Sequence, residues 1–206
     1  MALTLYRAPW STNVQRVRMA LAHKGLEAET VTISYGDRSP VEEVSGQPLV
    51  PVLVDDGAVI ADSMAIVAHL EARFPEPPLY PRGGAARAEV EIFVDWFNRA
   101  WKVEPNAIEA ALGAPVVDEA AIAALSATMD ARLDWFEALL DGRDFLLGAF
   151  GAADCCAFPF LKYAAGRDPT DDELFHVVLD DHQHVDGRPR LAAWIARLDA
   201  SVPPAA

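Results

Sequence analysis

Three short stretches of this sequence carry side chains that could hold a small ligand. "APWSTN" puts Ser11, Thr12 and Asn13 directly before an apolar helical pattern, and "IADSMAI" puts Asp62 and Ser63 before another. "LVPVLVDDG" sets Pro51 inside an apolar run that otherwise reads as a strand. A helix start exposes unpaired N–H groups and a partial positive charge, so it attracts anions, and a nearby hydroxyl or carboxylate can add a contact. The same residue types are common N-caps, so each of these residues also reads as a plain cap. Pro51 also reads as an ordinary edge-strand proline, where no ladder N–H is needed.

The elements that must place these residues follow from periodicity and punctuation. Residues 2–6 read as a short strand. Residues 13–24 put Val14, Val17, Ala20 and Leu21 on one helical face, and Gly25 supplies the stop. Residues 27–33 alternate and are rich in β-branched side chains, so they read as a strand. Ser39, Pro40 and Glu42 form a capping-box pattern, with Ser39 as the N-cap of a short helix. Residues 50–54 and 58–60 flank Asp55-Asp56-Gly57, a hairpin signature. A third helix over residues 63–73 stops before Pro75.

Four prolines within residues 75–84 suit neither helix nor sheet, and the stretch reads as an interdomain linker. Beyond it strand signals nearly vanish. Residues 85–112 and 119–140 read as two long helices, and Thr170 to Glu173 as a second capping box opening a helix that ends near residue 181. Residues 188–200 read as the last helix and residues 201–206 as a polar tail. The order β-α-β-α-β-β-α implies a four-stranded mixed sheet, the order of a thioredoxin-like α/β domain, followed by an all-α helical domain. The expected boundaries are 1–78 for the first domain, 79–85 for the linker and 86–206 for the second.

Composition narrows the function classes. Hydrophobic residues make up 52% of the 206, enough for a sizeable core and against disorder. With 31 acidic and 17 basic residues the formal net charge is -14, which repels phosphate backbones, so no nucleic-acid partner is expected. No apolar stretch approaches the ~20 residues that span a bilayer, so no membrane partner is expected either. The start "MALTLYRAPW" lacks the basic and apolar regions of a secretion signal. Cys155 and Cys156 are adjacent, a spacing that rarely closes into a relaxed disulfide. These features point to a reducing cytoplasm. The five histidines show no metal-ligand spacing, His182 and His184 included, so no metal is expected.

Four stretches carry a more specific signal: "APWSTNVQRVRMALAHKGL", "LVPVLVDDG", "IADSMAIVAHLEARFP" and "GAFGAADCCAFPFLKYA". Together they resemble the cytosolic glutathione transferase superfamily along nearly the whole chain. That resemblance implies a cis peptide bond before Pro51, with the Val50 backbone pairing to the cysteinyl part of glutathione like an added strand. It implies that Ser63 and its helix start hold the γ-glutamyl carboxylate and that Asp62 meets the α-ammonium group. The usual residue at that position is Glu or Gln, and Asp62 is one methylene shorter.

The chemistry the resemblance implies is transfer of the glutathione thiol to a small hydrophobic electrophile, as in detoxification. Its catalytic hydroxyl is Ser11 by similarity to the serine-type classes, with Thr12 and Asn13 as neighbours able to substitute or assist. Tyr6 is a weaker candidate because it falls within the first strand. Trp10, Phe97 and Trp101 are candidate walls of an electrophile pocket between the domains, although aromatic side chains at helical spacing are more often the mark of a core. "STNVQRVRMAL" also resembles the zeta-type isomerases, so a glutathione-dependent isomerase, peroxidase or dehalogenase is an alternative. A non-catalytic binding or regulatory protein on the same scaffold is another. The family is usually dimeric, so a homodimer is implied.

In the helical half the resemblance makes Gly151 an N-cap without a side-chain acceptor. It makes Asp154 a structural residue, and Cys155 and Cys156 read as buried, inert thiols.

Overall fold

The computed structural model describes residues 2–201, so the expected tail lies, after Ser201, outside the described residues. The chain divides into two compact units, residues 2–84 and Ala85–Ser201.

Unit 1 contains strands β1 (Leu3–Arg7), β2 (Glu29–Thr32), β3 (Val52–Asp55) and β4 (Ala58–Ala61) and helices α1 (Thr12–His23), α2 (Ser39–Ser45) and α3 (Ser63–Arg73). The sheet order is β2-β1-β3-β4, with β1 and β2 parallel and the other pairs antiparallel. Alternation along the central strands divides the core. Val52 and Tyr6 pair across the sheet and pack with Ala8, Ile33 and Val41 of α2. Leu53 and Leu5 form the next pair, both buried, and point to the opposite face. The outer strands β2 and β4 stay largely exposed, as edge positions allow. The hairpin turns at Asp56 and Gly57, both at positive φ (47° and 92°), the backbone that an Asp-Gly pair favours.

Two local expectations change in unit 1. The Ser39 box is displaced by one residue: Arg38 takes the N-cap position without a side-chain bond, and Ser39 is already helical. Asp37 supplies the acceptor instead, its Oδ1 taking the Ser39 amide at 3.0 Å and the Ser39 hydroxyl at 2.7 Å. The first part of the proline-rich stretch, read as a linker, is bound to the body of unit 1. Lys24, its side chain fully buried, donates from Nζ to Glu71 Oε2 (2.8 Å), Phe74 O (2.6 Å) and Pro77 O (3.0 Å). Glu71 accepts in turn from the amides of Leu79 and Tyr80. A buried ammonium with three acceptors is satisfied, and the prolines, which cannot donate, offer their carbonyls.

Unit 2 is helical: α4 (Gly84–Trp96, whose first residue belongs to unit 1), α5 (Val103–Leu112), α6 (Glu119–Leu139), α7 (Ala152–Leu161), α8 (Leu174–Asp181) and α9 (Pro189–Asp199). The single helix expected over residues 85–112 is instead interrupted by a π-helical turn at Phe97–Trp101. The reason is legible in the chain. Pro105 lacks an N–H, and restarting the helix at Val103 puts it in the first turn of α5, where no intrahelical donor is needed. Arg132 of α6 donates to the Ala100 carbonyl in this turn and also binds the Glu104 carboxylate.

Helix α7 is buried at all ten positions. Gly151 precedes it as the N-cap, and Asp154 reaches back to the Gly151 amide with Oδ2 at 3.0 Å. Its Oδ1 accepts from the Leu146 amide (3.1 Å) and Trp194 Nε1 (2.9 Å). Burial pushes the Asp154 carboxyl up to about 6, against the opposing effect of these hydrogen bonds. Cys155 and Cys156 are buried free thiols on the same helix.

The second capping box is corrected. Glu173 takes the N-cap position of α8, and Thr170 bonds Asp168 instead. Asp171 turns inward, accepting from Tyr163 Oη at 3.0 Å and lying 2.9 Å from His176 Nδ1. Among the described residues no helix is long and apolar enough to cross a membrane, and no group of three or more His, Cys, Asp or Glu is arranged to hold a metal ion.

Candidate functional site

Sheet register brings the three stretches to one end of unit 1. Tyr6 lies opposite Val52, and Val52 opposite Ala61. One step beyond that rung, β1 runs into the loop carrying Trp10 and Ser11, β3 is entered from Val50 and Pro51, and β4 runs into Asp62 and Ser63. The Val50–Pro51 peptide bond is cis. Pro51 is buried, while Val50 is half-buried and packs on the cluster of Ala8, Ile33, Val41 and Val52. Tyr6, the weaker hydroxyl candidate, packs on the same cluster from within β1.

Both site helices begin from a left-handed residue that is not glycine. Trp10, at φ 62°, precedes the N-cap of α1, and Asp62, at φ 76°, is the N-cap of α3. Such backbone is uncommon for residues with a side chain and is held in place only where the surroundings over-determine it. Here the caps supply part of that hold. Ser11 Oγ accepts from the Val14 amide at 3.3 Å. Asp62 Oδ1 accepts from the amides of Met64 and Ala65, both at 2.9 Å.

Capping does not exhaust either group. A hydroxyl has one proton to give and two lone pairs, and the Ser11 cap uses a lone pair only. Its proton can still be donated to a thiolate. Asp62 is exposed, and its Oδ2 takes no part in the cap. The cap reading and the ligand reading are therefore compatible at both residues.

Ser63 departs from expectation in detail. It is 3% exposed, and its Oγ accepts from Arg16 Nη1 at 3.3 Å and faces Asn13 Oδ1 at 3.5 Å. Its hydroxyl thus turns into the protein, and the contact it can still offer a ligand is its backbone amide at the head of α3. Arg16 also donates to Asn13 Oδ1 at 3.3 Å. Because a guanidinium only donates, the Asn13 atom facing it must be the carbonyl oxygen.

This buried arginine, 1% exposed, joins the first turn of α1 to the first turn of α3, and sequence reading missed it. Nothing local separates Arg16 from Arg18, two residues on, which is only partly buried and has its pKa lowered by that burial and by the neighbouring Arg7 charge.

Phe97 and Trp101, expected as pocket walls, lie within the core of unit 2. They are 0% and 1% exposed, stack at 4.5 Å with planes 13° apart, and meet Phe160 edge-on. Their spacing on the π-helical turn puts both rings on its buried side. Trp10, half-buried next to Ser11, is the one predicted wall in unit 1.

Residues 5–78 match the family model described as glutathione S-transferase, N-terminal domain, and residues 119–197 match that of the C-terminal domain. The chain is 42% identical to glutathione S-transferase Z1 of Arabidopsis thaliana over 90 residues, 42% of this chain and 41% of that protein. It therefore spans about two fifths of that relative's length. It is 34% identical to FtsZ-localized protein A of Caulobacter vibrioides over 161 residues, 70% of this chain and 69% of that one. Among solved structures it superposes on a glutathione S-transferase from Rhodospirillum rubrum F11 with a TM-score of 0.75 and 30% identity, covering 96% of this chain and 88% of that one. Two domain matches, a broad relative and a shared fold agree with the sheet-end geometry: the chain belongs to the glutathione S-transferase superfamily.

Proposed function

We propose that this chain binds glutathione at the sheet end of unit 1 and transfers its thiol to a small hydrophobic electrophile. The observation that supports this most is that the loop carrying Ser11, the Val50–Pro51 edge and the Asp62–Ser63 helix start all leave the same end of one sheet. In this reading the Val50 backbone pairs with the cysteinyl peptide group. The Ser63 amide meets the γ-glutamyl carboxylate, and Asp62 Oδ2 takes the α-ammonium group. No metal is required by these steps.

Ser11 then donates its hydroxyl proton to the sulfur. A free thiol has a pKa of about 8.5, and lowering it by ~2 units takes roughly 2.7 kcal/mol of preference for the thiolate. One hydroxyl and the head of α1 are reasonable sources of that preference. Trp10 lies beside the reacting sulfur as the apolar contact for the electrophile. The protein works as a cytoplasmic homodimer in this reading, which sedimentation at graded concentrations tests.

Calorimetric titration with glutathione is the direct experiment. Wild-type protein is expected to bind it and to show thiolate absorbance near neutral pH. Ser11→Ala should still bind, with the bound thiol pKa raised by about 1–2 units. Absence of glutathione binding by the wild type would sink the assignment. Rates with a halogenated aromatic, a hydroperoxide and a cis-enone acid separate transferase from peroxidase or dehalogenase and from isomerase.

One observation favours a second, non-catalytic reading. The relative named as FtsZ-localized is 34% identical over 70% of this chain. Co-sedimentation with FtsZ polymers, unaffected by Ser11→Ala and without any thiol transfer, would favour that reading.

A further inference from the structure

We infer that Tyr35, in the loop between β2 and α2, is a positioning residue for the Ser11 hydroxyl, an inference that rests on the glutathione reading above. Pro9 and Trp10 form the turn between β1 and the N-cap of α1, with Trp10 at φ 62°. Proline in the first central place and positive φ in the second are the pattern of a type II turn, whose second place favours glycine or asparagine. With tryptophan there, the common type I turn competes. The two turns differ by a half-rotation of the peptide that joins the central residues. The oxygen of that peptide is the Pro9 carbonyl, and Tyr35 Oη donates to it at 2.7 Å. Rotation of the peptide breaks this bond, so the bond favours the turn that Trp10 by itself disfavours. Ser11 is the next residue, and its direction follows the turn.

The loop around Tyr35 holds that hydroxyl in place. Ser34 and Asp37 bridge across it, with the Asp37 amide donating to Ser34 O at 3.3 Å and the Gly36 amide to Ser34 Oγ at 3.2 Å. Asp37 Oδ1 takes the Ser39 amide and hydroxyl and so ties the loop to the head of α2. Tyr35 stands within this closed turn, and the Arg38 guanidinium lies over its ring, 4.7 Å from the centroid. Tyr35 is 45% exposed, so it buries little apolar area, and its contribution to the site is the bond to Pro9. A hydrogen bond weakens steeply with misalignment, so a turn that rotates away takes the Ser11 proton off the line to the sulfur.

Titration of the thiolate absorbance of bound glutathione against pH tests the idea. Tyr35→Phe keeps the ring and removes the donor. It is expected to raise the bound thiol pKa by about 0.5–1 unit, with glutathione affinity within about twofold of the wild type. In a Ser11→Ala background the same substitution should add nothing, because it acts through that hydroxyl. In a Trp10→Gly background it should also lose its effect, because glycine takes positive φ freely. A role confined to loop stability would lower the unfolding midpoint and leave this titration unmoved. An unchanged thiol pKa in Tyr35→Phe, or an equal rise in either of the two backgrounds, would overturn the inference and leave the site assignment standing. Wild-type protein that binds no glutathione would remove the assignment and this inference together.

Discussion

Asp62 and Asp154 both serve the starts of helices, yet they stand in opposite environments. Asp62 is exposed, caps α3 with one oxygen and leaves the other out of the cap. Asp154 is 0% exposed, and its two oxygens take three donors from three different places in unit 2. A carboxylate with a spare oxygen at an open helix start can meet a ligand. One that is buried and saturated can only hold the fold. The contrast also separates strain from stability, because Asp62 sits at φ 76° whereas the backbone at the α7 cap is extended.

The largest expected effect comes from Asp154→Ala, which strands the Leu146 and Gly151 amides and the Trp194 Nε1–H in the core. A loss of about 3–5 kcal/mol is expected, read by urea unfolding. A loss below about 1 kcal/mol would mean that the buried cap is not saturated in solution.

Asp62 supplies the counterpart. Asp62→Asn keeps the cap acceptor and removes the charge, so stability should change by less than about 0.5 kcal/mol while glutathione affinity falls about tenfold. If affinity holds and stability drops, Asp62 is a cap alone and the comparison collapses.

Acidity should also tell the two aspartates apart. The folded pKa of Asp154 is raised to about 6 from an ordinary 3.8, chiefly by burial, so the native state holds this proton more tightly than the unfolded chain. Its contribution is therefore most favourable below the unfolded pKa and is lost as pH rises through about 6. Unfolding measured across this window should show the slope in wild type and not in Asp154→Asn. The smallest effect belongs to Thr170→Ala, expected within about 0.5 kcal/mol, because the residue that pattern makes a cap is an exposed partner of Asp168.

Much of the candidate site was legible because its signals are local. Pro51 in an apolar run, Asp62-Ser63 ahead of a helical stripe, and Ser11 before another need only neighbours within a few residues to be read. Where local chemistry offered two nearly equal solutions, reading was less secure. Asp37 displaced Ser39 as the acceptor at α2, and Asp171 left its box to meet His176 and Tyr163. Both are short-range alternatives of similar energy, decided by what lies across the gap.

The sequence by itself determined the order of strands and helices in unit 1, the hairpin at Asp56-Gly57 and the helix starts of the candidate site, since periodicity and capping act over one or two turns. Tertiary structure alone decided that Arg16 is buried and bridges α1 to α3. It also decided that Phe97 and Trp101 are core, and that one aspartate faces solvent while the other is sealed. Those outcomes depend on residues far apart in the chain meeting in space, and burial is a property of that meeting, not of the local pattern.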